Sequence, residues 1–330
     1  MELKDTFGRR IDYIRLSVTD RCNLRCIYCV PAGFSSRPRC LGPSGYLSPE
    51  KLFLFLKAAR RYGIKKVRLT GGEPLLRPDI TGLVRTIKDT GVEDLSLTTN
   101  GQLLSLYATR LKEAGLDRVN ISLDSLRPGR YRRITGGCLS PVLHAIEEAG
   151  RAGLSPVKIN MVPIKGINDD EIAEFAAIAR EKGKDVHVRF IELMPVRNFN
   201  FNAAASPDGP RVTAEEAKRA VSRMGRLIPL GRSGSSDNYR LFFPRGGAES
   251  GIIGFISPIS NHFCDSCNRL RMTASGRIRP CLFSDYEVDI NGASTEGEME
   301  RLLLFSVHGK KKGSLLQRAV PGEAMSLIGG

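Results

Sequence analysis

Short runs rich in valine, isoleucine, leucine and threonine alternate with amphipathic segments between residues 13 and 191. These runs predict six strands, at 13–18, 66–70, 95–98, 118–123, 157–162 and 186–191. Helix signals fall between them, and Ser48 before Pro49 is an expected N-cap. Glycines stand where five helices are expected to end, at Gly63, Gly91, Gly115, Gly153 and Gly183. Strands that alternate with helices predict a parallel sheet with right-handed crossovers.

The number of strand–helix units defines the expected fold class. Six units are too few for a closed (β/α)₈ barrel, so we expect an α/β fold with a partial (β/α)₆ TIM-like barrel over residues 1–197. Residues 198–210 are rich in Asn, Ala, Pro and Gly, which predicts a loop or linker. We expect the C-terminal segment, 198–330, to contain one helix at 213–224, short strands and a tail from residue 310. This segment is expected to close the open side of the barrel.

Composition and charge narrow the class of protein. Of the 330 residues, 41% are hydrophobic and 26% are charged, as in ordinary globular proteins. No apolar run approaches the roughly 20 residues that cross a bilayer, and the first eight residues do not resemble a signal peptide, which predicts a cytoplasmic protein with no membrane partner. The net charge of +15 favours an anionic ligand. The basic residues are scattered, apart from short clusters such as Lys310-Lys311-Lys312, so an ordinary solvated surface explains the charge equally well.

Three cysteines lie within eight residues, just after the first predicted strand: Cys22, Cys26 and Cys29. Grouped thiols in a cytoplasmic protein indicate metal or redox chemistry rather than disulfides. Three thiolates can hold three corners of a [4Fe–4S] cluster and leave the fourth iron open to a small molecule. A structural zinc site usually has four ligands in paired C-x₂-C units, so the spacing favours a cluster.

A second group of three cysteines contains Cys264, Cys267 and Cys281. His262 is an obvious fourth ligand for zinc, so the spacing alone leaves a zinc ribbon and an iron–sulfur cluster equally open. Cys40 and Cys138 stand alone and are interpreted as ordinary thiols.

Polar residues at the predicted strands form further candidates. Gly71-Gly72 followed by Glu73 suits close backbone approach to a ligand, with Glu73 accepting hydrogen bonds from an ammonium group, although a plain turn has the same pattern. Charged residues at inward barrel positions are unfavourable unless they hold an anion. Such positions, in or near the carboxyl halves of strands one, two, three and five, are Arg15, Arg68, Thr98 and Lys158. For any single one of these, the solvated side of a half-exposed strand is an equally good explanation.

The C-x₃-C-x₂-C loop with Tyr28 before its last cysteine resembles the signature of the radical S-adenosylmethionine enzymes. The rest of the chain resembles one family among them, the GTP 3′,8-cyclases of molybdenum cofactor biosynthesis. The similar stretches are 13–17, 22–29, 66–74, 97–101, 120–125, 157–160, 189–194, 263–283 and the final Gly329-Gly330.

The resemblance implies a set of ligands and site residues. Each cysteine group would hold a [4Fe–4S] cluster, the first binding S-adenosylmethionine and the second the guanine base. The residues implied for S-adenosylmethionine are Tyr28, Gly72, Ser122 and Met194. Those implied for GTP are Arg15, Arg68, Thr98, Lys158, Arg269, Leu270 and Arg271. Gly329 and Gly330 would reach the active site near Arg15, and all three are implied to be catalytic.

The implied reaction removes hydrogen from the ribose 3′ carbon of GTP and joins that carbon to carbon 8 of guanine. Its product is (8S)-3′,8-cyclo-7,8-dihydroguanosine 5′-triphosphate, in the first step of molybdenum cofactor biosynthesis. The implied partners are a low-potential electron donor, the downstream cyclic pyranopterin monophosphate synthase and a possible second copy of the chain.

Two alternatives stay open. A radical S-adenosylmethionine maturase that modifies peptides would have an auxiliary cluster, but such enzymes usually carry more C-terminal cysteines. A zinc-containing nucleic-acid-binding protein would use the basic charge, but with 7% aromatic residues and no tryptophan, stacking platforms for bases are sparse. We therefore expect no nucleic-acid partner.

Overall fold

A single mixed sheet organises the computed structural model, which describes residues 2–29, 41, 45–194, 209–242 and 251–312. Within these residues the strands are Tyr13–Ser17 (β1), Lys66–Thr70 (β2), Asp94–Thr99 (β3), Arg118–Ser122 (β4), Val157–Met161 (β5), Val186–Ile191 (β6), Arg226–Ser233 (β7), Ser236–Phe242 (β8), Ile252–Ile256 (β9), Arg269–Met272 (β10), Arg277–Arg279 (β11) and Val288–Asp289 (β12). The α-helices are Pro49–Arg61 (α1), Ile80–Asp89 (α2), Ala108–Glu113 (α3), Pro128–Thr135 (α4), Leu139–Arg151 (α5), Ile172–Glu181 (α6), Ala214–Ser222 (α7) and Glu296–His308 (α8).

The six predicted strands are confirmed, each within one residue at either end. They lie side by side in chain order, from β1 to β6, and every neighbouring pair is parallel. The Ser48 hydroxyl accepts a hydrogen bond from the Lys51 amide at 3.3 Å, so α1 begins at the predicted cap. The fold class is therefore a partial (β/α)₆ barrel, as expected.

The C-terminal segment adds strands to both edges of the six-stranded part. β9 pairs in parallel with β6, and β10 pairs in parallel with β1. Antiparallel strands continue the sheet outward, β8 and β7 on one side and β11 and β12 on the other. In the described part of the chain the sheet ends at β12 and β7, so it forms an open barrel.

One helix was missing from the sequence prediction, which placed a single helix in this segment. The predicted helix at 213–224 is present as α7, but α8 follows later. Thr295 and Glu298 form a capping box at the start of α8, a local signal that was available in the sequence. Its apolar residues spread around the helix and leave Phe305 61% exposed, so they make no clear stripe.

Alternation along the strands separates the core from the barrel interior. Residues such as Val67, Leu69, Leu95 and Leu97 are fully buried and belong to the apolar cluster shared with the helices. Their strand neighbours point to the opposite face, because successive side chains of a strand alternate. Those neighbours are polar and line the interior. None of the described helices has the length and apolar character needed to cross a membrane.

Candidate active site

A cavity of about 490 Å³ occupies the barrel interior. All six grouped cysteines line it: Cys22, Cys26, Cys29, Cys264, Cys267 and Cys281. The inward polar residues of the strands lie on the same walls. The two cysteine groups, far apart in sequence, therefore face one shared space.

The first group follows β1, and two glycines hold its loop against the end of β2. The Gly72 amide donates to the Thr19 carbonyl at 2.8 Å. A Cβ atom at Gly72 would lie 2.1 Å from the Arg21 carbonyl oxygen, so only glycine fits. Gly71 has φ +134°, which also favours glycine. The two glycines therefore let the backbone of the cysteine loop pack closely against the end of β2. Gly72 also lines the cavity.

Glu73 has a different role from the one expected of it. The side chain is 1% exposed, and its carboxylate accepts from the Thr99 hydroxyl and the Asn100 amide, both at 2.7 Å. It also accepts from the Leu75 amide at 3.2 Å. Burial raises the pKa of Glu73 to about 7 despite these donors. Through these hydrogen bonds the carboxylate links the ends of β2 and β3, so its acceptor positions are used within the protein and not for a ligand ammonium group.

Tyr28 connects the first cysteine loop to the end of β4. Its hydroxyl donates to Asp124 at 2.6 Å, and the other Asp124 oxygen accepts from the Val162 amide at 3.0 Å. Burial raises the pKa of Asp124 to about 6. Ser122 is the last residue of β4, and Met194 lies three residues beyond β6; both line the cavity. The four residues predicted for S-adenosylmethionine therefore all reach this space.

Three arginines form a row across adjacent strands. The register pairs Arg271 of β10 with Arg15 of β1, and Arg15 with Arg68 of β2. Side chains level with one another on parallel strands point the same way, so three cations meet. Burial lowers the pKa of Arg15 and the Arg271 charge lowers it further. Arg269 also lines the cavity. Leu270, which lies between Arg269 and Arg271 in β10, is buried in the apolar core and is level with Ile14.

A second row of polar residues, ending at one lysine, crosses the other strands. Thr98 of β3 is level with Asn120 of β4, which is level with Lys158 of β5. Lys158 is the second residue of its strand, one residue before the midpoint, so it lies near the carboxyl half and not within it. Burial, followed by the charge of Arg189, lowers the pKa of Lys158 to about 6.

Sequence reasoning missed several residues of this interior. Arg189 of β6 is 8% exposed, lines the cavity, and has a buried Nε atom with no hydrogen-bond partner. Lys66, Arg118 and Asn160 also line the cavity. The alternation within each strand separates these positions from the apolar core, although it does not reveal which face of the strand meets a cavity. Buried cations beside one another are unfavourable alone, so this interior fits a polyanionic ligand.

The second cysteine group lies beside β10. Cys264 and Cys267 fall in and after a 3₁₀ turn at Cys264–Ser266, and Cys281 follows β11. Burial would raise the pKa of Cys267, but the charges of Lys310 and Arg269 outweigh it and lower the pKa to about 7. A lowered thiol pKa favours the thiolate that iron requires.

The donor sets can be compared with the metals proposed for them. In the described residues, no three His, Cys, Asp or Glu side chains converge closely enough for one metal ion. Tetrahedral zinc needs sulfur ligands at about 2.3 Å. A [4Fe–4S] cube, in contrast, holds its cysteines at separate corners. Each group offers three thiols to the cavity, which is the donor chemistry that three corners of a [4Fe–4S] cluster require. Gly329 and Gly330 lie outside the described residues.

Curated relatives match this chain over nearly its whole length. The chain is 47% identical over 304 residues to the GTP 3′,8-cyclase of Moorella thermoacetica, covering 90% of this chain and 89% of the relative. It is 43% identical over 338 residues to that of Thermodesulfovibrio yellowstonii, covering 99% and 100%. This chain belongs to the GTP 3′,8-cyclase family. Two family models match its parts: Radical SAM superfamily over residues 16–179 and Molybdenum Cofactor Synthesis C over residues 186–314.

Solved structures place this GTP 3′,8-cyclase family member within a wider fold group. Streptococcus suis SuiB, solved bound to S-adenosylmethionine, is similar with a TM-score of 0.62 and 15% identity, covering 92% of this chain and 68% of SuiB. At this identity the likeness shows the fold alone. The resemblance predicted from the sequence is thus confirmed at the level of the family and of the fold.

Proposed function

We propose that this chain converts GTP to (8S)-3′,8-cyclo-7,8-dihydroguanosine 5′-triphosphate, the first step of molybdenum cofactor biosynthesis. One observation carries the proposal: both cysteine groups and the buried cations of the strands line a single cavity. A triphosphate nucleotide fits between two clusters in such a space. Family membership supplies the matching cofactors, S-adenosylmethionine and two [4Fe–4S] clusters.

When bound, the first cluster and S-adenosylmethionine supply a carbon radical that removes hydrogen from the ribose 3′ carbon. Cys22, Cys26 and Cys29 would hold that first cluster, which would bind S-adenosylmethionine. Around it, the proposed contacts are the residues predicted from the sequence, Tyr28, Gly72, Ser122 and Met194. The surrounding strand ends exclude water, so that the radical meets only its target.

The row of arginines on β10, β1 and β2, together with the polar row that ends at Lys158, orients the substrate. Arginine forks suit phosphate oxygens, and we assign the triphosphate to Arg15, Arg68, Lys158, Arg269 and Arg271, with Thr98 as a hydroxyl donor. Leu270 contributes through its backbone, since its side chain lies in the core. Arg189 is an addition to the predicted set. Cys264, Cys267 and Cys281 would hold the second cluster, which would bind the guanine base.

Other assignments complete the proposal. Gly329 and Gly330 act beside Arg15. The chain divides at residues 197 and 198 into the barrel and the cluster-bearing segment. A low-potential donor provides electrons, a cyclic pyranopterin monophosphate synthase takes the product, and the enzyme works in the cytoplasm, where thiols stay reduced. A homodimer is the proposed assembly.

Anaerobic reconstitution tests the function. The protein is loaded with iron and sulfide, reduced, and incubated with S-adenosylmethionine and either GTP, ATP or no nucleotide. We expect 5′-deoxyadenosine and a cyclised nucleotide to form together with GTP, and little of either without it.

Two results would contradict this. A colourless protein that takes up one zinc per cysteine group would support the zinc-binding alternative. Equal 5′-deoxyadenosine with ATP and GTP, without a cyclised product, would show that the nucleotide assignment is wrong.

A further inference from the structure

Helix α8 ends beside the second cysteine group, and a buried lysine follows it. Gly309 caps the helix, and Lys310 is 3% exposed, whereas its neighbour Lys311 is exposed. The basic cluster seen in the sequence therefore contains two kinds of lysine. Lys311 is solvated, but Lys310 points into the protein.

The ammonium group of Lys310 contacts both halves of the cysteine group. It donates to the Arg269 carbonyl at 2.9 Å and to the Pro280 carbonyl at 2.6 Å. It also lies 3.7 Å from the sulfur of Cys267. An ammonium has three donors, and each has a separate acceptor here. Arg269 follows the C-x₂-C pair and Pro280 precedes Cys281, so one side chain joins the two halves.

A second cation fixes the same junction from the other end of the chain. Arg9 donates to the Cys264 carbonyl at 2.9 Å and to the Lys311 carbonyl at 3.0 Å. Its Nε pairs with Asp5 at 2.5 Å, and both side chains are nearly buried. The N-terminal loop and the end of α8 thus both hold the backbone around the cysteines.

The two cations differ in what balances their charge. Arg9 has the Asp5 carboxylate, whereas the hydrogen-bond acceptors observed for Lys310 are two neutral carbonyls and a sulfur. A buried charge requires an opposite charge nearby. The thiolates that hold the second cluster provide it.

We propose that Lys310 is a positioning residue for the second cluster, holding the two halves of its cysteine group together and raising its reduction potential through a buried positive charge. Hydrogen bonds and charge near the sulfurs are among the factors that set cluster potentials. This inference rests on the proposed function, because it needs the second cluster to exist.

The test isolates that cluster in the full-length chain. Cys22, Cys26 and Cys29 are replaced by alanine, and the protein is reconstituted anaerobically. Lys310→Met, Lys310→Gln, Lys310→Arg and the matched control Lys311→Met are added separately. Iron and sulfide content, melting temperature and the EPR signal of the reduced cluster during a redox titration are measured.

With Lys310→Met and Lys310→Gln we expect the ratio of reduced to oxidised cluster at a fixed potential to fall about tenfold, which is about 59 mV for a one-electron couple. Lys310→Arg should recover much of the shift, and Lys311→Met should show none. Lys310→Gln carries the test if the methionine variant does not fold.

The outcomes separate the two proposals. If the parent triple-alanine protein binds no iron, the second cluster of the proposed function is wrong and this inference falls with it. If the parent binds a cluster, and Lys310→Gln matches Lys311→Met in iron content and potential, the inference alone is wrong.

Discussion

The two cysteine groups each offer three thiols to one cavity, yet the charged residues around them differ in sign. The first group lies near buried carboxylates. Burial raises the pKa of Cys26 well above its usual range, and Asp124 raises it further. Burial also raises the pKa of Cys22, with Glu73 adding to it and a hydrogen bond from the Leu24 amide opposing it. The second group lies among cations: the charges of Lys310 and Arg269 lower the pKa of Cys267, whereas burial raises that of Cys264.

This difference indicates a division of labour. Negative charge near a cluster makes its reduction harder, so an electron placed there has more driving force to leave. Positive charge near the other cluster stabilises extra negative charge, including that of a bound nucleotide. The same three-cysteine pattern can therefore serve electron transfer at one end of the cavity and substrate binding at the other.

The largest effect is expected from substitutions that remove one cluster at a time. Cys22→Ala with Cys26→Ala should bring 5′-deoxyadenosine formation down to background. Cys264→Ala with Cys267→Ala should keep some cleavage of S-adenosylmethionine but form no cyclised nucleotide. Chromatography of both products measures this, with Cys138→Ala, at an exposed lone cysteine, as the control. If both double variants lost cleavage equally, the division of labour would be wrong.

The role of the cavity-lining cations in nucleotide binding can be tested by removing the charge of Arg189. Arg189→Met should weaken GTP binding about ten- to hundredfold, because a hydrogen bond to a charged group contributes about 1.5–3 kcal/mol. Binding of S-adenosylmethionine should change little. Calorimetry with each ligand measures both, and Arg85→Met, at an exposed position on α2, is the matched control. A similar loss in the two affinities would indicate a general structural role for Arg189.

Proton uptake should accompany GTP binding. Lys158 has a pKa of about 6, lowered by burial and by the charges of Arg189, Arg118 and Arg68, with Asp94 opposing them. At pH 7.5 it is mostly neutral. A bound triphosphate favours the charged form and raises this pKa, so the complex takes up as much as about one proton.

Calorimetry in buffers of different ionisation enthalpy measures this uptake, and affinity should rise as the pH falls from 8 toward 6. Lys158→Met is the control, since any uptake by the nucleotide itself persists in that variant. Equal uptake by the two proteins would show that Lys158 does not titrate on binding.

The smallest effect concerns the hydrogen bond that connects the first cysteine loop to the end of β4. Tyr28→Phe removes the hydrogen bond to Asp124 and should lower the free energy of unfolding by about 1 kcal/mol. The melting temperature of the cluster-free protein should fall by about 1–2 °C. Iron bound by the second group should be unchanged. A variant that lost iron from both groups equally would contradict the local role of this bond.

Much of this architecture could be predicted from the chain alone. The strands and the first cysteine loop are local patterns, and they were predicted nearly to the residue. Arg189 was missed although it alternates with apolar residues in β6, because alternation does not reveal which face meets a cavity. Glu73 was matched to a ligand ammonium group because its observed donor, the Thr99 hydroxyl, lies at the end of β3, 26 residues later. Lys310 looked like surface charge, since nothing local shows that α8 ends against the cysteines.

The alternation of the six central strands has a consequence for evolution. In a closed TIM barrel the interior is itself packed with branched apolar residues. Here one set of alternate positions builds the core against the helices, and the other set faces the ligand. Mutations in the second set can change what is bound with little penalty to folding. A register shift by one residue would exchange the two sets of positions. The pairing of the strands is therefore under far stronger constraint than the identity of the residues that face the ligand.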